Sequence, residues 1–319
     1  MGIFSSLFKF QFLKGASKKS YSNFIYSKNN TAWIFIAAGN SEARHIWDIL
    51  WGVTVLKIKG IKDSQIFIFS DFAHMNKNLE TFAITQNIFH AKYLKSEVQK
   101  IIDFDHLVMV VTGHGNHHGL PVSGSKLTPS DLVEAIRSCQ NLKSGTLILG
   151  QCYAGVFNYL PASKEPEIVI MGATNLHSSL SSTINLNFPI HSPNSSYILN
   201  SWLANIFLFY IFEWFLNPID IDGDGKYTLA DLYKYAGVQS NQHLLSLKTK
   251  LAMTYDKWCI DAKKKIEDHE SKAAVLTEIE LKSIHEQLNN NLTNLYLHQE
   301  PWLLHANLAR AININLNQK

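Results

Sequence analysis

The chain has 319 residues, 46% of them hydrophobic, and a formal net charge of +3. That apolar content builds a sizeable core and excludes global disorder, while so slight a charge gives nucleic-acid binding no electrostatic footing. Three cysteines, Cys139, Cys152 and Cys259, form neither a disulfide framework nor a C-x-x-C metal site, and the length suits one large α/β domain with appendages or two small domains.

Residues 1–30 read as a basic leader. Lys9, Lys14, Lys18, Lys19 and Lys28 precede the first acid, Glu42, and Phe4, Leu7, Phe8, Phe10, Phe12 and Leu13 interleave with the first of them. A targeting peptide, a segment lying on a membrane surface and an untethered leader are all open, although Lys9 breaks the apolar run that a secretory signal needs. The opening MGIFSS fits the N-myristoylation pattern with Gly2 as acceptor, which has meaning only inside a eukaryotic cell, including one that receives the protein.

Residues 32–38 (AWIFIAA) predict a strand, and 42–58 a helix with Ile46, Ile49, Leu50, Val53 and Leu56 on its apolar face. A second strand at 65–70 ends at Asp71; 72–90 reads as a loop and 94–102 as a helix. The apolar run 107–113 stops at His114, set between Gly113 and Gly115. A helix follows with Ser130 as its cap and Leu132, Val133 and Ile136 facing inward. The run 146–149 stops at Gly150, Gln151 and Cys152, and 167–173 is one more strand. Strands alternating with helices predict a mostly parallel sheet covered on both faces, with ligands at the carboxyl ends of the strands.

Residues 174–196, rich in Ser, Thr and Asn, read as a long loop, and 197–216 as a buried helix. Asn200, Ser201, Asn205 and Glu213 interrupt that run, so it is not a membrane span. Residues 220–231 (DIDGDGKYTLAD) have the pattern of an EF-hand loop, with Asp220, Asp222, Asp224, the Lys226 carbonyl and Asp231 as oxygen ligands for Ca2+; Asp231 replaces the usual Glu. Calcium ligation and simple capping of a helix beginning near Leu229 are equally open. Residues 239–298 are amphipathic and charged, a helical insertion or lid, and 299–319 form a terminal segment with strand-like alternation over 309–316.

The chemistry lies at two strand ends. A thiol at Cys152 needs a partner to take its proton, and His114 is suited to that and to protonating a leaving amine. The turns at Gly115 and Cys152 free backbone N–H groups to face an oxyanion. Either residue alone reads as packing or turn; the pair, on successive apolar strands, reads as a nucleophile and its base. Cys139 and Cys259 sit in helical patterns as packing residues, and His117 and His118 face water.

Residues 31–238 resemble the caspase–legumain superfamily of cysteine peptidases, and within it the legumain family that includes the catalytic subunit of GPI transamidase. An apolar strand ending in His-Gly, then one ending in Cys with small residues after it, is the signature. The motif at 112–115 (TGHG), Arg44-His45 followed by Asp48, the stretch 60–71 (GIKDSQIFIFSD), and Ala173-Thr174-Asn175 with Ser178 and Ser179 extend the match. The resemblance implies a caspase-like three-layer α/β/α sandwich, a Cys152–His114 dyad, and hydrolysis or transfer of peptide bonds after Asn or Asp in a peptide or protein substrate. No cofactor is needed for that chemistry. Arg44 would line the pocket for the residue before the scissile bond, with His45, Ser178 and Ser179 near it. Gly150 departs from the polar or acidic residue usual two positions before the nucleophile, and Gly113 from the Asp of legumain itself. The acidic loop resembles one found in bacterial relatives, implying a bacterial protein, cytoplasmic or exported; the insertion at 239–298 has no counterpart. A non-catalytic scaffold acting through that insertion is the alternative reading.

Overall fold

The computed structural model describes residues 23–39, 42–71, 75–85, 87–160, 165–193, 195–271, 277–296 and 298–316. The elements in chain order are β1 (Phe24–Ser27), β2 (Thr31–Ala38), α1 (Arg44–Ile58), β3 (Ile66–Ser70), α2 (Met75–Thr81), β4 (Ile88–His90), α3 (Leu94–Val98), β5 (His106–Gly113), β6 (Leu120–Val122), β7 (Ser125–Leu127), α4 (Pro129–Ser138), β8 (Ser144–Leu149), β9 (Ile168–Gly172), β10 (Ser181–His191), β11 (Ile198–Asn205), α5 (Ile206–Leu216), α6 (Leu229–Glu270), α7 (Glu278–Tyr296), β12 (Trp302–Leu304), α8 (Ala306–Ala311) and β13 (Ile312–Asn315). Seven strands form the main sheet in the order β12-β9-β8-β5-β2-β3-β4, all parallel except the edge strand β12.

The central strands are apolar throughout because both faces are covered. Trp33 and Phe35 of β2 face a core built with α1, α5 and the start of α6, while Ala32, Ile34 and Ile36 face a second core built with α3 and α4. The fold is thus the three-layer α/β arrangement that the strand–helix alternation predicts, with a helical C-terminal region. Among the described residues no helix is long and apolar enough to cross a membrane.

Several sequence-based expectations need correction. Residues 198–205 are strand β11, paired antiparallel with β10, and only 206–216 are helical. A long apolar run does not separate strand from helix, and the partner strand hides inside the Ser/Thr/Asn-rich stretch read as a loop. Residues 72–90 contain α2 and β4, and the helix at 94–102 is only Leu94–Val98. Thr128, not Ser130, caps α4, accepting the Asp131 N–H while the Asp131 carboxylate returns to the Thr128 N–H. At the end of the chain, Ala309 to Ala311 belong to α8 and only Ile312–Asn315 are strand. The basic leader gives way before residue 30: β1 runs parallel to β13, and the Tyr26 hydroxyl is buried 3.0 Å from Ser144 Oγ. The readings made on residues 1–22, including Gly2, lie outside the described residues. α6 continues without a break through residue 239, so the C-terminal helical region grows directly out of the core.

Two stability predictions follow from this packing. Gly52 lets α1 approach the sheet and α5: a Cβ there would lie 2.6 Å from Phe212 Cζ and 2.7 Å from Phe35 Cε1. Gly52→Ala is expected to destabilise by about 1–3 kcal/mol, read from the urea midpoint, against the roughly 1 kcal/mol that helix propensity alone would add. His106 is buried, stacked on Tyr26 at 4.5 Å and 2.9 Å from Ser144 Oγ; burial pushes its pKa from 6.5 down to about 4, with Asp105 opposing. A depressed imidazole contributes stability that is fully present above pH 6.5 and is lost as pH falls towards 4. The wild type should lose roughly 3 kcal/mol more across that interval than His106→Asn, measured by denaturant unfolding at each pH.

Candidate active site

β5 and β8 are parallel neighbours with Val111 opposite Leu149. Each continues by the same number of residues to its reactive side chain, so His114 and Cys152 stand level at the carboxyl edge of the sheet. Gly113 makes the first turn: its φ is +106°, and a Cβ there would meet the Ala38 carbonyl oxygen at 2.2 Å. The turn lets the His114 N–H donate to that carbonyl at 3.0 Å. Gly115 then passes so close to the second turn that a Cβ on it would lie 2.2 Å from the Cys152 carbonyl oxygen. The two strand ends are in backbone contact, and among the described residues neither the Gly115 nor the Cys152 N–H has a hydrogen-bond partner.

The thiol has one donor facing it: the Ser179 N–H lies 3.4 Å from Cys152 Sγ. His114 is held from the other side, where Nε2 is 2.8 Å from Glu42 Oε1. The other Glu42 oxygen accepts from Arg44 Nε, and that hydrogen bond does most to hold the Glu42 carboxyl below the usual range. Arg44 Nη1 also donates to Ser181 Oγ at 2.8 Å.

The expected pocket serines therefore divide. Ser181, which the sequence reading missed, touches Arg44. Ser178 is exposed, and Ser179 turns its hydroxyl to Asn205 Nδ2 at 3.1 Å. His45 is buried behind His114, with ring centroids 5.3 Å apart. Glu42 was visible only as the first acid of the chain; nothing in its local sequence pairs it with a histidine so far along. Cys139 donates to the Ile101 carbonyl, and burial pushes its thiol up to about 11, as suits a packing residue. His117 and His118 are exposed.

Behind this edge sits Asp48, 5% exposed. It accepts from Thr112 Oγ1 at 2.9 Å, Trp202 Nε1 at 2.9 Å and the Asn205 N–H at 3.1 Å. Asn205 in turn donates to the Gly150 carbonyl and caps α5 through the Leu208 N–H. Gly150 now has a physical reason: a Cβ there would lie 2.4 Å from Leu208 Cδ1, so α5 occupies the space a side chain would need. Gln299, from the terminal segment, accepts the Leu180 N–H and reaches Ser179 Oγ, closing the loop over the thiol from the far end of the chain.

The acidic loop separates its proposed ligands. Asp220, Asp222 and Asp224 bring one oxygen each within 4.8 Å of the others. Asp220 accepts the N–H groups of Gly225 and Gly223, the first of which does most to hold its carboxyl below the usual value. Asp231 is fully buried elsewhere, accepting from the Ile221 and Thr228 N–H groups at the start of α6. Thr228 caps α6 and the Asp231 carboxylate returns to its N–H, so the cluster of three acids does not include Asp231. The Lys226 N–H donates to Asp224 Oδ1, folding the loop on itself.

No protein-family model and no curated protein matches the chain. Among solved structures it is similar to caspase-1 from Spodoptera frugiperda, at 13% identity and a TM-score of 0.46, over 92% of this chain and 96% of that one. It is also similar to a secreted C11 cysteine protease from Bacteroides thetaiotaomicron solved with an irreversible peptide inhibitor, at 10% identity and a TM-score of 0.32, over 66% of this chain and 58% of that one. Likenesses this distant leave the function to be argued from the residues.

Asp48→Ala would strand three buried donors and is expected to cost about 3–5 kcal/mol in denaturant unfolding. Thr112→Val removes one donor together with its bond and should cost only about 1 kcal/mol.

Proposed function

We propose that the chain is a cysteine endopeptidase of the caspase–legumain type, acting on peptides or proteins through Cys152 and His114. The observation that carries this is the backbone contact between Gly115 and Cys152, which brings a thiol turn and an imidazole turn to one sheet edge. Glu42 Oε1 accepts a hydrogen bond from the His114 Nε2–H at 2.8 Å, which leaves the lone pair on Nδ1; a base oriented by a third group is the arrangement a weak nucleophile requires. His114 accepts the Cys152 proton, and the thiolate attacks the carbonyl carbon as its C–O π bond opens to an oxyanion. The Gly115 and Cys152 N–H groups are the donors to that oxygen. Collapse expels the amine with the proton from His114 and leaves a thioester, which water resolves by hydrolysis or a second amine by transfer.

Arg44 supports a preference for an acidic residue before the scissile bond, because its guanidinium already grips a carboxylate, that of Glu42, with a directed hydrogen bond. An Asp substrate would compete for this grip, whereas an Asn would offer only one acceptor oxygen. Placement beside legumain and the transamidase subunit, and a bacterial source, belong to the same proposal and rest on the motifs at 112–115 and 220–231. Calcium at the acidic loop would be held by Asp220, Asp222 and Asp224 without Asp231, a sparse set that suits weak binding.

The test is labelling with acyloxymethyl-ketone probes bearing Asp or Asn, with and without calcium. Wild type should label at Cys152 with Asp favoured, Cys152→Ala should not label, His114→Ala should slow labelling by about 10²-fold or more, and Arg44→Ala should erase the preference for Asp. No labelling of the wild type, before or after limited proteolysis, would overturn the reading.

A further inference from the structure

The turn after β2 and the first turn of α1 place Glu42 and His45 against His114. One ligand atom from each of the three lies within 4.8 Å of the other two. His45 supplies the decisive detail. It is 3% exposed, and its Nδ1 faces Thr112 Oγ1 at 3.4 Å and Asp48 Oδ2 at 3.9 Å. Its Nε2 is buried and, among the described residues, has no hydrogen-bond partner. An unpaired buried nitrogen is costly unless something else takes its lone pair.

The surroundings are those of a metal ligand set. Two imidazoles and a carboxylate are a common donor set for zinc with one position left open. Asp48 and Thr112 on His45 Nδ1, and Arg44 on the outer oxygen of Glu42, are outer partners of the kind that fix a ligand's tautomer and direction. His45 is buried, whereas Glu42 and His114 are each 40% exposed; an ion between the three would sit about 2.1 Å from each ligand atom.

We propose that Glu42, His45 and His114 bind a zinc-class divalent ion, with water in the fourth position, and that the ion holds the peptidase off. A neutral imidazole bound through Nε2 keeps its proton on Nδ1, so His114 has no lone pair left for the Cys152 proton. The inhibitory half rests on the peptidase reading; the metal site does not.

The experiment uses the full chain carrying Cys152→Ala, so that no thiol competes, freed of metal and titrated with Co2+ and with Zn2+ against a chromophoric chelator. One equivalent should bind, with the intense visible bands of a four-coordinate Co2+ site. Since loss of an outer partner alone costs 10–100-fold, adding His45→Gln or Glu42→Gln should weaken binding by about 100-fold. Glu42 lies at the surface, so that variant serves if His45→Gln fails to fold. Absence of binding, or binding unaltered by both substitutions, as at the exposed His117–His118 pair, would overturn the site. In the wild-type chain Zn2+ should abolish probe labelling and a chelator restore it; undiminished labelling with the site filled would overturn the inhibitory role. A wild type that never labels while Cys152→Ala binds one zinc ion would sink the peptidase reading and leave the metal site standing.

Discussion

The Asp48 carboxylate joins most of the elements that surround the candidate site. It lies on α1, and its acceptor oxygens receive Thr112 from the end of β5, Trp202 from β11 and the backbone at the start of α5. Burying a carboxylate is expensive unless its lone pairs are used, so these partners are not interchangeable with water. By satisfying itself Asp48 fixes how the His114 strand end, the β10–β11 hairpin and α5 meet. Asn205 extends the same network to the carbonyl of Gly150 and the hydroxyl of Ser179, either side of the thiol turn. The reactive edge thus rests on a rigid polar floor, although Glu42, His114 and Ser178 above it are open to solvent.

Close approach is the second constraint. Gly113 and Gly115 exist because backbone oxygens of Ala38 and Cys152 stand where a side chain would begin. Gly150 answers to the side chain of Leu208 instead. The wall beside the thiol turn is therefore apolar and comes from α5. Arg44 shares its hydrogen bonds between Glu42 and Ser181. A single carboxylate, Glu42, spans both Arg44 and His114, so anything that displaces or captures it acts on both side chains together.

Much of this was legible beforehand. Fully apolar strands bounded by turn residues marked β2, β3, β5, β8 and β9, and their alternation with helices marked the parallel sheet. His114 and Cys152 stood out because reactive side chains interrupt such runs at the end where ligands bind. The hairpin β10–β11 was not legible. One strand is polar on its open face, and the other, within an apolar run, merges into α5 at Asn205. Asp231 was legible as an acid in a loop pattern, but not its capping box with Thr228 or the Ile221 N–H that its other oxygen accepts.

What the sequence by itself determined is local: the strand and helix periodicities, the sharp turns at glycine, and the chemical types at the strand ends, all set by residues a few positions apart. What only the tertiary structure decided is which distant groups those ends meet. Glu42 on His114, Ser181 on Arg44, Leu208 in place of a Gly150 side chain and Gln299 over the thiol loop are contacts across long stretches of chain. Their partners follow from how α1, α5 and the terminal segment settle against the sheet, and packing of that kind leaves no periodic trace in the sequence.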